Sequence, residues 1–309
     1  MQPCGRTAET HGVGVPREWL SGGSTRANGD PVCANRDPVG ASVKIGLAQL
    51  NSGQNKATNL AAAAEAIARL AEQGAGLVVL PEMFNFHGLD DAYPEAAETI
   101  PGPSTAWARD QARQHSLFLH CGSLAERRGD KIYNTSVVFA RDGSELARYS
   151  KLHLFDVRLP DGLEHLESST ISAGSEVVTC ECEGVTLGLA ICYDLRFPQL
   201  FHALADKGAQ VFVLPAAFTV PTGISHWEPL LRARAIENGC YVAACGQWGT
   251  YTPGRQCYGH SLVVDPWGTV VAQCREGLGT VLAELDLDYL AGVRQRMPVQ
   301  RHRRRDLFT

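Results

Sequence analysis

From about residue 43 to residue 285 the chain repeats one device: a short, unbroken apolar run that stops abruptly. LVVL at 77–80 stops at Pro81-Glu82, and LGLAI at 187–191 stops at Cys192-Tyr193-Asp194. Runs of four to eight such residues read as buried strands, because a helix needs ten or more. Between them lie segments with helical period. Residues 56–73 place Leu60, Ala64, Ile67 and Leu70 on one face, and Gly74 closes the segment. The pattern predicts strands at 43–50, 77–80, 117–124, 132–140, 145–149, 176–182, 186–191, 211–214, 241–245, 259–264, 270–274 and 279–285. Helices are expected at 56–73, 104–115, 198–207, 225–239 and 286–296. Arg141-Asp142-Gly143 reads as a hairpin turn between two of the strands. Residues 150–175 carry no period, and a loop of that length in a compact domain tends to be functional. Mixed β-α units and hairpins argue for an α/β chain in which helices cover two packed mixed sheets.

Residues 1–41 differ from the rest. They are rich in Gly, Pro, Ser, Thr and Asn, and four Arg are balanced by four acids. A mitochondrial presequence should be poor in acids, so the segment reads as a disordered leader, with a transit peptide as the alternative. The expected organisation is a leader at 1–41 and one domain at 42–309. A net charge of −5 gives no support for a nucleic-acid partner. No apolar run reaches the ~18 residues of a membrane helix, and a cytoplasmic enzyme is expected. The ten cysteines form no CxxC pair and several sit in apolar runs, the pattern of a reducing compartment. No zinc spacing, P-loop or G-x-G-x-x-G is present, so neither metal nor nucleotide cofactor is expected.

Three reactive side chains follow strands. Glu82 follows LVVL, Lys151 follows the strand into RYSKLHLFD, and Cys192 follows LGLAI. Strand ends of α/β folds gather where sites are built. Pro198 suits the first turn of a helix, which puts Cys192 on a tight strand-to-helix corner. A thiol with a pKa of ~8.5 is mostly protonated at neutral pH. A nearby carboxylate can take its proton, and burial would raise that carboxylate's pKa and help it return the proton to a leaving amine. An ammonium balances the carboxylate and stabilises an oxyanion. The set therefore suits acyl transfer, with Cys192 as nucleophile, Glu82 as general base then acid, and Lys151 as oxyanion stabiliser.

LPEMF, YSKLHLFD and ICYDLRFP resemble, in order and context, the Glu, Lys and Cys motifs of the nitrilase (carbon–nitrogen hydrolase) superfamily. The resemblance spans about residues 43–309. AFTVPTGISHWEPLLRARAIENGCYVAA and YGHSLVVDPWGTVVAQC are similar to the branch with deaminated glutathione amidases and the nitrilase half of nitrilase–Fhit fusions. The resemblance implies a four-layer α-β-β-α sandwich and a homodimer or larger oligomer, with 198–207 and 225–239 at the subunit interface. It also implies that Glu167, in EHLESST, positions substrate or water, and that the Tyr193 backbone N–H completes the oxyanion hole. Phe218 and Thr219 are candidate substrate contacts. Arg196 is a candidate for a substrate carboxylate or for bracing Asp194, with bracing favoured. The expected reaction is hydrolysis of a small primary amide to acid and ammonia through a thioester, with deaminated glutathione, an α-keto amide, as substrate. Another ω-amide, a nitrile or a carbamoyl compound is the alternative, and a catalytically silent interaction module is the rival. The sequence departs from the branch at Phe84-Asn85-Phe86-His87, where an acid is usual, and at Arg305, Cys245 and Trp248.

Overall fold

A computed structural model describes residues 42–158, 162 and 164–307. The expected leader lies outside the described residues. Two mixed sheets carry the fold. The first has seven strands, in the order Gly279–Asp286, Ser42–Gln49, Leu77–Val79, Phe118–His120, Lys131–Phe139 and Leu124–Arg128, with Glu145–Ser150 also pairing to Lys131–Phe139. The second has six, in the order Val270–Gln273, Leu262–Val264, Tyr241–Gly246, Val211–Ala216, Val185–Leu189 and Thr179–Cys182. In each sheet three neighbouring strands are parallel and the flanking ones antiparallel.

Alternation along the strands sets the layers. Val43, Ile45 and Leu47 join Leu77 and Val79 in one core with Leu187, Leu189, Val211 and Val213 of the second sheet. Ala48 and Val78 point the other way, into a core with Ile67 and Leu70 of the helix Lys56–Glu72 and Ala108 and Ala112 of the helix Pro103–His115. Burying side chains such as Ile67 and Leu70 stabilises by roughly 1.5–3 kcal/mol each. The helix Lys56–Glu72 lies so close that a Cβ on Gly46 would meet Leu70 Cδ2 at 2.8 Å. Leu200, Phe201, Trp227 and Leu231, from the helices Pro198–Asp206 and Val220–Asn238, pack with the second sheet's core. The result is the expected α-β-β-α layering.

The differences have local causes. The expected strand at 117–124 is two strands, Phe118–His120 and Leu124–Arg128, parted by Gly122 at φ +61°. A Cβ on Gly122 would lie 1.9 Å from the Pro81 carbonyl oxygen, so only glycine lets the chain pass beneath the Glu82 turn. The helix expected at 225–239 begins earlier, at Val220, since Pro221 fits its first turn. The 150–175 stretch holds a short antiparallel pair, Asp156–Arg158 with Glu164–Leu166, then one tight turn at Glu167–Ser169. A hairpin, Trp248–Thr252 with Arg255–Tyr258, has no counterpart in the sequence expectation.

Candidate active site

Glu82 and Lys151 lie just beyond strand ends of the first sheet, and Cys192 just beyond one of the second. They meet in a cleft whose lining includes all three and Glu167. Lys151 is buried, and its Nζ donates to Glu82 Oε1 at 3.0 Å and to Glu167 Oε2 at 2.8 Å. Glu82 also accepts from Asn134 Nδ2 at 2.8 Å and from the Ala217 N–H at 2.8 Å. The Cys192 thiol and the Glu82 carboxylate face each other closely enough that each shifts the other's titration. Glu167 accepts from Asn134 Nδ2 at 3.2 Å and from the Phe155 N–H at 2.7 Å.

Asn134 was not singled out in the sequence. It sits in the middle of the strand Lys131–Phe139 and reads there as the first of three consecutive polar residues, Asn134-Thr135-Ser136. Its amide touches both carboxylates, which fixes their spacing.

The cluster's electrostatics follow from burial and mutual charge. Burial pushes Glu82 up, but Lys151's charge and the hydrogen bonds from Cys192, Lys151 and Asn134 outweigh it, so Glu82 lies below the ordinary carboxylate range. The expectation that burial would raise this carboxylate is therefore corrected. Glu167 is the raised one: burial lifts it, Lys151 opposes, and repulsion from Glu82 adds to the lift. Burial alone would lower Lys151, yet its two carboxylate neighbours hold it well above the usual lysine value. The Cys192 thiol is pushed well up by burial and by Glu82. Both influences favour the thiol over the thiolate.

Cys192 sits at φ +48°, in the left-handed region that costs a non-glycine residue about 1–2 kcal/mol. Asp194, fully buried, secures that conformation. It accepts from the Ile191 N–H at 2.9 Å, the Tyr149 hydroxyl at 2.6 Å and the His153 N–H at 3.0 Å. The His153 ring, stacked on Phe197 at 3.7 Å, places Nδ1 2.7 Å from the same carboxylate. One buried acid thus ties the residue before Cys192 to a residue two positions after Lys151.

Arg196 does not brace Asp194, which corrects the favoured reading. Tyr149, His153 and Ile191 occupy that carboxylate. The Arg196 guanidinium instead lies over the Phe218 ring at 5.5 Å and the Tyr193 ring at 5.6 Å, and it approaches His226 Nδ1 at 3.3 Å. Arg196, Phe218, Thr219 and Tyr193 line a side recess that also touches Cys192. Among the described residues no group of three His, Cys, Asp or Glu is arranged to hold a metal ion.

A family model described as carbon-nitrogen hydrolase matches residues 44–295. The chain is 42% identical over 270 residues to the nitrilase and fragile histidine triad fusion protein NitFhit of Caenorhabditis elegans, covering 86% of this chain and 61% of that protein. The crystal structure of C. elegans NitFhit superposes with a TM-score of 0.80 at 41% identity, covering 87% of this chain and 67% of that one. Deaminated glutathione amidase of Bos taurus is 43% identical over 274 residues, covering 85% of this chain and 83% of that protein. Omega-amidase NIT2 of Homo sapiens is 40% identical over 267 residues, covering 86% and 97%.

Proposed function

The chain belongs to the carbon–nitrogen hydrolase family, and from that premise we propose that it hydrolyses small amides through a thioester on Cys192. Glu82, ionised at rest, takes the thiol proton as sulfur attacks the amide carbonyl. Lys151 and the Tyr193 N–H stabilise the oxyanion. Glu82 returns the proton to the departing amine, then activates the water that cleaves the thioester, with Glu167 and Asn134 holding the charges in register. The observation that carries this reading is the Lys151 ammonium, hydrogen-bonded to both carboxylates in the same cleft as the Cys192 sulfur. Arg196 has no carboxylate partner among the described residues and faces the recess beside Cys192, so it suits a carboxylate on the acyl chain.

The acyl group proposed is an α-keto dicarboxylic one, which fits an ω-amide and deaminated glutathione equally. The two differ in the leaving group. A primary ω-amide releases ammonia, whereas deaminated glutathione is an N-substituted amide and releases a peptide amine. The expected product from that substrate is therefore corrected from ammonia to an amine, and measuring both products separates the two substrates. Cys192→Ala is expected to lower kcat by ~10⁴-fold or more, and mass spectrometry of trapped enzyme should place the acyl group on Cys192. Normal turnover by Cys192→Ala, or acylation elsewhere, overturns the reading.

The enzyme is further proposed to be a homodimer or larger. Ile224 and Ile236 lie 66% and 51% exposed on the helix Val220–Asn238, the segment that the family resemblance implies is at the subunit interface. No helix among the described residues is long and apolar enough to cross a membrane.

A further inference from the structure

The cleft leaves Cys192 on two sides. One leads past Tyr193 to Arg196, Phe218 and Thr222. The other is walled by His87, Asp90, Tyr93, His165 and Tyr251, and it alone includes Glu82 and Glu167. The roles of the two sides rest on the proposed reaction. In it the amide nitrogen must face Glu82, the group that protonates it, so the leaving amine turns toward His87 and the acyl chain toward Arg196.

His87 is a polar group which that reaction does not use. Its ring stacks on Tyr251 with centroids 3.8 Å apart and planes 13° apart. Its backbone N–H donates to the Gly53 carbonyl at 2.9 Å, fixing the residue in the wall. The residue is 6% exposed, and its Nδ1 is enclosed without a hydrogen-bond partner. Burial holds the ring at about 4, against the pull of the Glu82 charge and with the help of His165, so the imidazole is neutral. A neutral imidazole has one N–H. Placing it on Nδ1 would bury an orphaned donor, which proteins tolerate less well than an orphaned acceptor. The proton is therefore assigned to Nε2, since Nδ1 is the enclosed nitrogen and the residue lines the cleft.

We propose that His87 is a specificity-determining residue whose Nε2–H donates to a carbonyl oxygen on the amine side of the substrate, selecting N-substituted amides that carry such a carbonyl. Tyr251 gives that substituent a flat wall. Asp90 on the same wall repels a carboxylate there, so a neutral amide carbonyl is the matching acceptor. Hydrolysis of the scissile amide releases this amine with the proton from Glu82, and water supplies the acid's oxygen.

The test uses three amides of one α-keto dicarboxylic acyl group: primary, N-propyl and N-carbamoylmethyl. Wild-type kcat/KM should favour the N-carbamoylmethyl over the N-propyl amide by about 5–10-fold, the worth of one hydrogen bond. His87→Leu should bring that ratio near one, while His87→Gln, which keeps an N–H, should retain part of it. A wild type with no preference overturns the inference without any variant. Equal losses on both N-substituted amides in His87→Leu, with the ratio kept, overturn it too. Hydrolysis of the primary amide alone overturns the inference and leaves the parent reaction standing. Hydrolysis of none of the three overturns that reaction, and the inference with it.

Discussion

Tyr149→Phe removes one oxygen from the buried clamp behind Cys192 and changes little else. The ring stays, so no cavity opens, and the lost contact is the 2.6 Å hydrogen bond to Asp194 Oδ2. Burial and the Asp194 charge hold the Tyr149 hydroxyl well above its usual value, so it is a neutral donor at every working pH. Hydrogen bonds to charged groups contribute about 1.5–3 kcal/mol. Asp194 keeps its bonds from Ile191 and His153, so the expected loss is about 2 kcal/mol. For a domain of this size each kcal/mol moves Tm by about 2–4 °C, so Tm should fall by about 4–8 °C. The clamp joins Ile191, next to Cys192, to His153, near Lys151. Loosening it should therefore lower kcat several-fold with a smaller change in KM, because the transition state needs both groups in register. Calorimetry and initial rates on one preparation measure both effects. A Tm within about 1 °C of wild type would show that Asp194 is satisfied without Tyr149 and would refute the reasoning.

Two more outcomes are set by the charges. Since Cys192 is held far above an ordinary thiol by burial and Glu82, its alkylation by iodoacetamide in the free enzyme should be slow at neutral pH and still rising at pH ~9; a plateau below pH ~8 would mean a preformed thiolate. Glu82, lying below 4.5, stays ionised as pH falls, while Glu167, lying above 4.5, takes a proton first. The acid limb of kcat/KM should therefore inflect above 4.5 in wild type, and the residual activity of Glu167→Gln should inflect lower; an unmoved limb would assign it to another group.

The layers of the fold were legible because each strand is a short apolar run and each covering helix a periodic one. LVVL and LGLAI are buried on both faces, so their ends were visible as the points where charge begins. The turn at Gly122 was not legible, because the reason for glycine there is the Pro81 carbonyl oxygen, which belongs to a distant segment of the chain. Asn134 and Asp194 show the same limit in the site. Each is a polar residue in an ordinary context, and its importance comes from partners on other segments. Arg196 was misassigned for a related reason. Proximity in sequence suggested Asp194 as its partner, but the turn at Cys192–Arg196 turns the acid inward and leaves the base at the recess.

The two carboxylates differ in the direction of their shifts, and that difference supports the roles proposed for them. Both contact Lys151 and Asn134, so neither neighbour alone separates them. Glu82 additionally receives the Ala217 N–H and the Cys192 thiol, both of which favour its ionised form. Glu167 takes the Phe155 N–H but bears burial and the repulsion of an already ionised Glu82. Pairs of acids whose environments push them apart divide into base and partner. The acid kept ionised is the one whose titration the thiol shifts, which supports the proposal that proton removal accompanies attack without a standing thiolate. Lys151, pinned between two acids and held charged, is a poor proton shuttle and a good fixed charge for an oxyanion.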